Sequence, residues 1–229
     1  MNHLLKTTED GSHTFYVPEL NEHYHSTHGA IQESKHVFIE AGLKHFSENH
    51  PNDDIHVLEI GFGTGLNTYL TLLESEKKSL KIYYHSLEFY PIELEQINKL
   101  NYEDILSLNI NETSLFKQLH TSPWEKEISI TPNFTLYKQQ IDFSNPSEFK
   151  PDKFFNLFYF DAFAPEKQAE MWTQEIFDKI KTLSKKGAII TTYCAKGAVR
   201  RMLQSAGFKV ERLPGPPGKR EILRGTSSF

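Results

Sequence analysis

His56-Val-Leu-Glu-Ile-Gly-Phe-Gly-Thr-Gly-Leu-Asn67 decides how the rest of this chain reads. His56 to Ile60 is a short, mostly apolar run, which predicts a buried strand. Three glycines follow within five positions, Gly61, Gly63 and Gly65, and Thr64 to Leu73 then has helical spacing. Strand, glycine turn and helix in that order place free backbone N–H groups at the helix start, where a ligand can approach closely. A tight strand-to-helix turn uses glycine for steric reasons too, so the turn alone does not name a ligand. The dinucleotide fingerprint wants glycine or alanine at position 66; the sequence has Leu66, which disfavours a nicotinamide cofactor.

Outward from this turn, strand and helix alternate. Lys81 to Leu87 reads as a second strand and Pro91 to Leu100 as its helix. Phe134 to Tyr137 and the aromatic run Phe154 to Phe160 read as the third and fourth strands. Met171 to Leu183 has helical spacing with Gly187 just beyond, Ala188 to Tyr193 is a fifth strand, and Gly197 to Ala206 a helix stopped by Gly207. Phe208 to Leu213 and Glu221 to Leu223 flank the turn Pro214-Gly-Pro-Pro-Gly218 as a hairpin. The pattern predicts an α/β fold: a mostly parallel, doubly wound sheet ending in an antiparallel hairpin. Residues 1–30 are polar and turn-rich and hold five of the eleven histidines. Residues 101–133 carry the weakest pattern and are expected to be helices and loops inserted before the third strand. With no linker visible, 1–229 reads as a single domain, with 1–50 an N-terminal extension of the core at 51–229.

Composition narrows the function classes. The chain has 229 residues, 38% hydrophobic and 24% charged, an ordinary globular balance. The single cysteine, Cys194, excludes an intrachain disulfide and any multi-cysteine zinc or iron–sulfur site. No apolar run approaches the roughly 18 residues of a membrane span, and the N-terminus lacks a signal-peptide core, so a soluble cytoplasmic protein is expected. The formal charge of −5 is unevenly spread: residues 179–229 hold twelve Lys or Arg against two acids, a net +10, which leaves −15 on the first 178 residues. A basic end on an acidic body fits a polyanion-binding face, and equally a solvated lysine-rich surface.

Four acids stand where strands meet loops. Glu59 is one carboxylate inside an apolar strand, costly to bury without a partner. The ammonium of S-adenosylmethionine (SAM) above the glycine turn is one such partner; a lysine or a backbone amide is another. Glu88 ends the second strand 23 residues after Gly65, the spacing at which an acid accepts ribose hydroxyls of an adenosine ligand. Asp142 follows the third strand, facing the adenine of such a ligand or merely closing a turn. Asp161 opens Asp161-Ala-Phe-Ala-Pro165 at the carboxyl edge of the fourth strand, where a carboxylate can hold or deprotonate an amine; helix capping is the competing use. His23, His25 and His28 have no carboxylate or thiolate at ligand spacing, so no metal is expected. Cys194 reads as a small buried residue rather than a nucleophile.

At these residues the sequence resembles the tRNA 5-methylaminomethyl-2-thiouridine methyltransferase family, the MnmC-type methyltransferase domain. The resemblance spans residues 15–225 and rests on Tyr24-His-Ser-Thr-His-Gly-Ala30, Glu33 with Val37-Phe38, Glu59 to Asn67 and Ser86 to Pro91. Its strongest pieces are Asp161 to Pro165, Met171-Trp-Thr173, Val199-Arg-Arg201 and Gly218-Lys-Arg-Glu221. It implies a Rossmann-like SAM-dependent fold that methylates the amine of 5-aminomethyl-(2-thio)uridine at the tRNA wobble position. By position it implies that Gly61, Gly63, Asn67, Glu88 and Asp142 contact SAM, with Gly65 in the same turn. Asp161 would sit at the amine, and Tyr24, Glu33 and Tyr193 would line the substrate side. The basic Arg200, Arg201, Lys219 and Arg220 would then hold tRNA phosphates. Bifunctional members continue into a flavin-dependent oxidoreductase domain. This sequence ends at Phe229, so the resemblance implies a stand-alone form without flavin, whose aminomethyl precursor comes from a separate enzyme. A SAM enzyme for another amine, and an RNA-binding module on a vestigial fold, are the alternatives.

Overall fold

The glycine turn lies at the middle of an eight-stranded sheet. The structure, a computed structural model, describes residues 2–51, 53–106 and 114–228. The chain opens with a small antiparallel sheet, ordered β1 (Leu4–Thr7), β2 (His13–Val17) and β3 (Glu22–His23). A continuous helical segment follows over residues 30–49: α1 (Ala30–Ser34), a π-helical stretch (Lys35–Lys44) and α2 (His45–Asn49). Thus the turn-rich reading of residues 1–30 is corrected: β2 buries Phe15 and Val17 while Thr14 and Ser12 are satisfied by side-chain hydrogen bonds, so polar composition conceals a sheet.

The core strands are β4 (Ile55–Ile60), β5 (Ile82–Glu88), β6 (Glu127–Thr131), β7 (Phe134–Gln140), β8 (Phe155–Phe160), β9 (Ser184–Thr192), β10 (Phe208–Pro214) and β11 (Glu221–Ser227). Their spatial order is β10-β11-β9-β8-β4-β5-β7-β6. Pairs β4/β5, β5/β7, β4/β8 and β8/β9 are parallel, and β9/β11, β10/β11 and β6/β7 antiparallel. The mostly parallel sheet with a terminal hairpin is therefore as the sequence predicts, with one addition: β6 lies inside 101–133 and makes the other edge antiparallel as well. Also in that stretch are α5 (Tyr102–Leu106) and α6 (Leu115–Thr121); the part of it at 107–113 lies outside the described residues.

Both faces of the sheet are covered, which is why its central strands read as apolar runs rather than alternating ones. On one face the 30–49 segment and α3 (Leu66–Lys78) bring Phe38, Leu43, Tyr69 and Leu72 against Val57, Leu157 and Tyr159. On the other, α7 (Gln174–Thr182) and α8 (Gly197–Ser205) bring Phe177, Ile180, Val199 and Leu203 against Leu58, Phe158 and Phe160. All six residues of β8 are buried, whereas Phe154 just before it is 57% exposed and is not part of the strand.

Several boundaries move. The helix expected at 91–100 is only α4 (Leu94–Ile97), because Glu93 is extended and caps it three residues in. The 171–183 helix divides into a 3₁₀ turn (Ala169–Met171) and α7, which is capped by Thr173 accepting from Ile176 N. Gly187 does not terminate a helix. It sits inside β9 with φ +72°.

β4 runs out to β5 and β7 on one side, and the chain then returns to the other side of β4 to form β8. The carboxyl ends of β4 and β8 are thus the point where strand order reverses, the crevice where open α/β sheets hold ligands.

Candidate active site

The glycine turn is clamped by its neighbours. Gly61 N and Phe62 N both donate to Leu87 O, at 3.0 and 3.1 Å. Gly61 has φ +97°, and a Cβ there would lie 2.7 Å from the Asp161 carbonyl oxygen, so only glycine fits against the β8 loop. Gly63 has φ +49° and lies under the Tyr24 ring, 3.0 Å from where a Cβ would stand. Gly63 N donates to Glu88 Oε2 at 2.9 Å, and Tyr90 N donates to Glu88 Oε1 at 2.9 Å. Glu88 therefore couples the first turn to the second, and each oxygen retains a lone pair for a ligand hydroxyl.

Above this turn opens a cavity of about 670 Å³, within the range of small-molecule sites. Gly61, Gly63, Asn67, Glu88 and Asp142 line it, together with Asp161, Tyr24, Glu33, Tyr193 and Lys219. These residues come from positions 24 to 219, brought to one sheet edge by the topology. Asp142 Oδ1 also accepts from Ser144 N at 2.9 Å, so the turn-closing use and the cavity-facing position coexist.

Asp161 is the electrostatic centre. Burial pushes its carboxyl up to about 7; Asn67, donating from Nδ2 to Oδ2 at 2.8 Å, opposes the shift, Glu33 adds to it, and Lys219 counters it. Asn67 is 4% exposed, and among the described residues its Oδ1 has no hydrogen-bond partner. Glu33 is 8% exposed and fixed by Ser26 N donating to Oε2 at 2.7 Å, while Lys219 Nζ stands 3.2 Å from Oε1. The same ammonium lies 4.4 Å from the centroid of the Tyr193 ring. Tyr193 donates from its hydroxyl to Ala162 O at 2.9 Å, and burial first, then the nearby Asp161 charge, drive its phenol well above the ordinary value. Tyr24 packs edge-on to Phe163, with centroids 5.0 Å apart. A carboxyl that titrates near neutrality, beside fixed charges in a cleft, is suited to proton transfer.

Two of the residues expected at the cofactor, Glu59 and Gly65, do not reach the cavity wall. Glu59 is fully buried beneath it and accepts from Thr68 Oγ1 at 2.9 Å and Ser86 Oγ at 2.5 Å. Its partner is thus neither a ligand ammonium nor a lysine but two hydroxyls, and burial pushes the carboxyl up to about 8, so it stays largely protonated at neutral pH. Gly65, with φ +73°, packs against His120 and starts α3 rather than facing the cavity. Arg200, Arg201 and Arg220 are also outside the cavity wall; Arg201 and Arg220 are exposed, and Arg200 is half-buried.

The histidines of the N-terminal region are used singly. His25 N donates to Thr14 Oγ1 at 3.1 Å, His28 Nδ1 meets Glu9 Oε1 at 3.0 Å, and His23 packs on Tyr16. Among the described residues no group of three His, Cys, Asp or Glu is arranged to hold a metal. Cys194 is buried, and burial raises its thiol.

Sequence reading missed part of this site. Phe89 and Tyr90, 42% and 55% exposed with centroids 4.3 Å apart, stand at the cavity mouth; an aromatic pair straight after a strand-end acid was the available signal. The burial of Lys138, which is outside the cavity wall, was missed as well. It is buried beside the turn, donating to His120 O at 3.0 Å with Phe62 and Trp124 rings 5.3 and 4.8 Å away. A lysine in a strand gives no sequence signal of that burial.

Comparison with known proteins bears on the fold and the family. A family described as S-adenosyl-L-methionine-dependent methyltransferase matches residues 138–228. The tRNA 5-methylaminomethyl-2-thiouridine biosynthesis bifunctional protein MnmC of Leptospira interrogans is 30% identical over 220 residues, covering 92% of this chain and 33% of that protein. The MnmC protein of Aeromonas hydrophila is 30% identical over 224 residues, covering 90% of this chain and 33% of that protein. The chain thus spans about a third of the length of these relatives. Among solved structures, MNMC2 from Aquifex aeolicus has the same fold, with TM-score 0.79 at 22% identity over 98% of this chain and 70% of that one. Spermidine synthase from Thermotoga maritima shares the fold more distantly, with TM-score 0.54 at 13% identity over 100% of this chain and 72% of that one.

Proposed function

We propose that this chain, similar to the MnmC proteins over nine-tenths of its length, is a SAM-dependent methyltransferase that methylates 5-aminomethyl-(2-thio)uridine at the tRNA wobble position, giving the 5-methylaminomethyl form. The observation that carries the amine chemistry is Asp161, a carboxyl held near neutrality at the strand-order switch, oriented by Asn67 and facing the cavity.

The cavity fits the methyl donor. Glu88 has lone pairs left for two ribose hydroxyls, and Asp142, Phe89 and Tyr90, which line the same cavity, would hold the adenine. The unpartnered Oδ1 of Asn67 offers an acceptor to an ammonium beside the turn. When bound, SAM supplies a methyl group on a sulfonium, an electrophile that needs no further activation.

The protein's remaining task is the amine. An alkylammonium has a pKa of about 10.4 and is protonated at neutral pH, without a lone pair to attack. Asp161 accepts one proton from it, and Asn67 fixes the carboxylate that receives it. The freed nitrogen lone pair is then available to the methyl group that a bound SAM would supply, with the sulfur as its leaving group. Tyr193 and Tyr24 line the cavity beside Asp161, and side chains that confine the amine favour an in-line approach.

In this proposal residues 1–50 form the substrate side of one domain built on the 51–229 core. Arg200, Arg201 and Arg220, outside the cavity, hold tRNA phosphates. The protein acts on tRNA in the cytoplasm, and another enzyme supplies the aminomethyl precursor. Among the described residues no helix is long and apolar enough to cross a membrane. Nucleoside mass spectrometry of tRNA from cells with and without this protein tests the assignment. Methylaminomethyl-uridine should appear with it and the aminomethyl form accumulate without it. An unchanged nucleoside profile refutes it.

A further inference from the structure

Lys219 reaches into the active-site cavity from the turn between β10 and β11. Its ammonium is 3.2 Å from Glu33 Oε1 and 4.4 Å from the Tyr193 ring centroid, and it is near enough to Asp161 to pull that carboxyl's pKa down. A carboxylate on one side and an aromatic face on the other is the chemistry that recognises an alkylammonium. Lys219 is itself a primary amine on an alkyl chain.

Glu33 cannot turn away to solvent. It is 8% exposed, and its other oxygen is tied to Ser26 N at 2.7 Å. A buried carboxylate without a cation is strongly disfavoured, so Oε1 demands a positive group whether or not substrate is present. The segment carrying Lys219 is a turn: Lys219 N donates to Pro216 O at 2.9 Å, and Pro217 and Gly218 are exposed, so the side chain has solvent to retreat into.

We propose that Lys219 is a resident stand-in for the substrate ammonium, seated on Glu33 and Tyr193, and that the aminomethyl group displaces it on binding. This rests on the amine-methylation reading above and adds to it the group that receives the amine before Asp161 takes its proton. The exchange is one cation for another: the substrate ammonium enters, the lysine ammonium leaves for solvent, and the charge on Glu33 stays neutralised. A neutral substituent at the same position of the base cannot drive the exchange, so the site selects for a cation.

The test uses 5-aminomethyluridine as the free nucleoside, which has no phosphate, titrated calorimetrically into the full chain saturated with S-adenosylhomocysteine. Lys219→Met should bind the nucleoside about tenfold or more tightly than wild type, because nothing has to be displaced. Lys219→Arg, which keeps a cation, should stay close to wild type, and Glu33→Gln should weaken binding by about tenfold or more. Uridine, without the amine, should not distinguish Lys219→Met from wild type. Equal or weaker binding of the aminomethyl nucleoside by Lys219→Met overturns the displacement, and leaves Lys219 as a phosphate or structural contact. If wild type and Lys219→Met both bind S-adenosylhomocysteine but neither binds the nucleoside, the substrate reading itself falls.

Discussion

Asp161→Asn is the substitution on which the proposed chemistry depends most. Burial holds the Asp161 carboxyl at about 7, against 3.8 for an unperturbed aspartate. Taking a proton from an alkylammonium of pKa about 10.4 is uphill by roughly 3.4 units for this carboxylate, and by roughly 6.6 for an ordinary one. At about 1.4 kcal/mol per unit, the environment of Asp161 reduces the cost of making the amine nucleophilic by about 4 kcal/mol. Asparagine keeps the shape and a carbonyl that can orient the amine, but it is not a base. Single-turnover methylation, with SAM and aminomethyl-tRNA both saturating, should slow by roughly 10²–10⁴-fold, the usual span of a general base. Cofactor affinity should stay near wild type, since Asp161 is not among the groups that face adenosine. The pH profile supplies a second reading. The wild-type rate should rise with pH through about 7 as Asp161 loses its proton, and that inflection should vanish in Asp161→Asn. A folded Asp161→Asn protein with the wild-type rate and the wild-type pH inflection would refute the assignment, and leave Asp161 as a structural acid bonded to Asn67.

Further outcomes follow from the same geometry. Glu88→Ala should weaken SAM binding by roughly ten- to a hundredfold for each charge-assisted hydrogen bond lost, read by calorimetry, because Glu88 offers its remaining lone pairs to the ribose; unchanged affinity removes it from the site. Glu59→Gln should be more stable than wild type at pH 8 and lose that advantage towards pH 5. The folded protein holds a proton on Glu59 up to about 8 that the unfolded chain releases near 4.5, so wild-type stability falls across that window as pH rises. Thermal melts at the two pH values check this, and parallel melting curves would mean another group sets the slope. Arg200→Ala with Arg201→Ala should lower the salt dependence of tRNA binding by about one unit of slope per lost phosphate contact, leaving SAM affinity alone. A constant slope means these arginines face elsewhere.

The sequence by itself determined the order of the central strands and helices, because buried parallel strands and their covering helices write their periods directly into the chain. It also located the glycine turn, Glu88, Asp142 and Asp161, since ligand-facing residues of such sheets fall at strand ends, and strand ends are marked by glycine, acid and proline. What it could not determine was partnership across distance. Glu59 looked like a ligand contact from its place beside the glycines; only the packing shows that its Oε2 accepts from both Thr68 and Ser86, and that it lies under the site. The N-terminal sheet was hidden because polar side chains bond to one another there instead of alternating with apolar ones. Asn67 with Asp161, and Glu33 with Lys219, are pairs 94 and 186 positions apart, joined because strand order reverses beside β4 and the last hairpin folds back on the 30–49 helix. Local spacing encodes which residues end a strand. Which charges then face one another, and so which carboxyl titrates near neutrality, is fixed only by the tertiary fold, because burial and distance set those energies and neither is a local property of the chain.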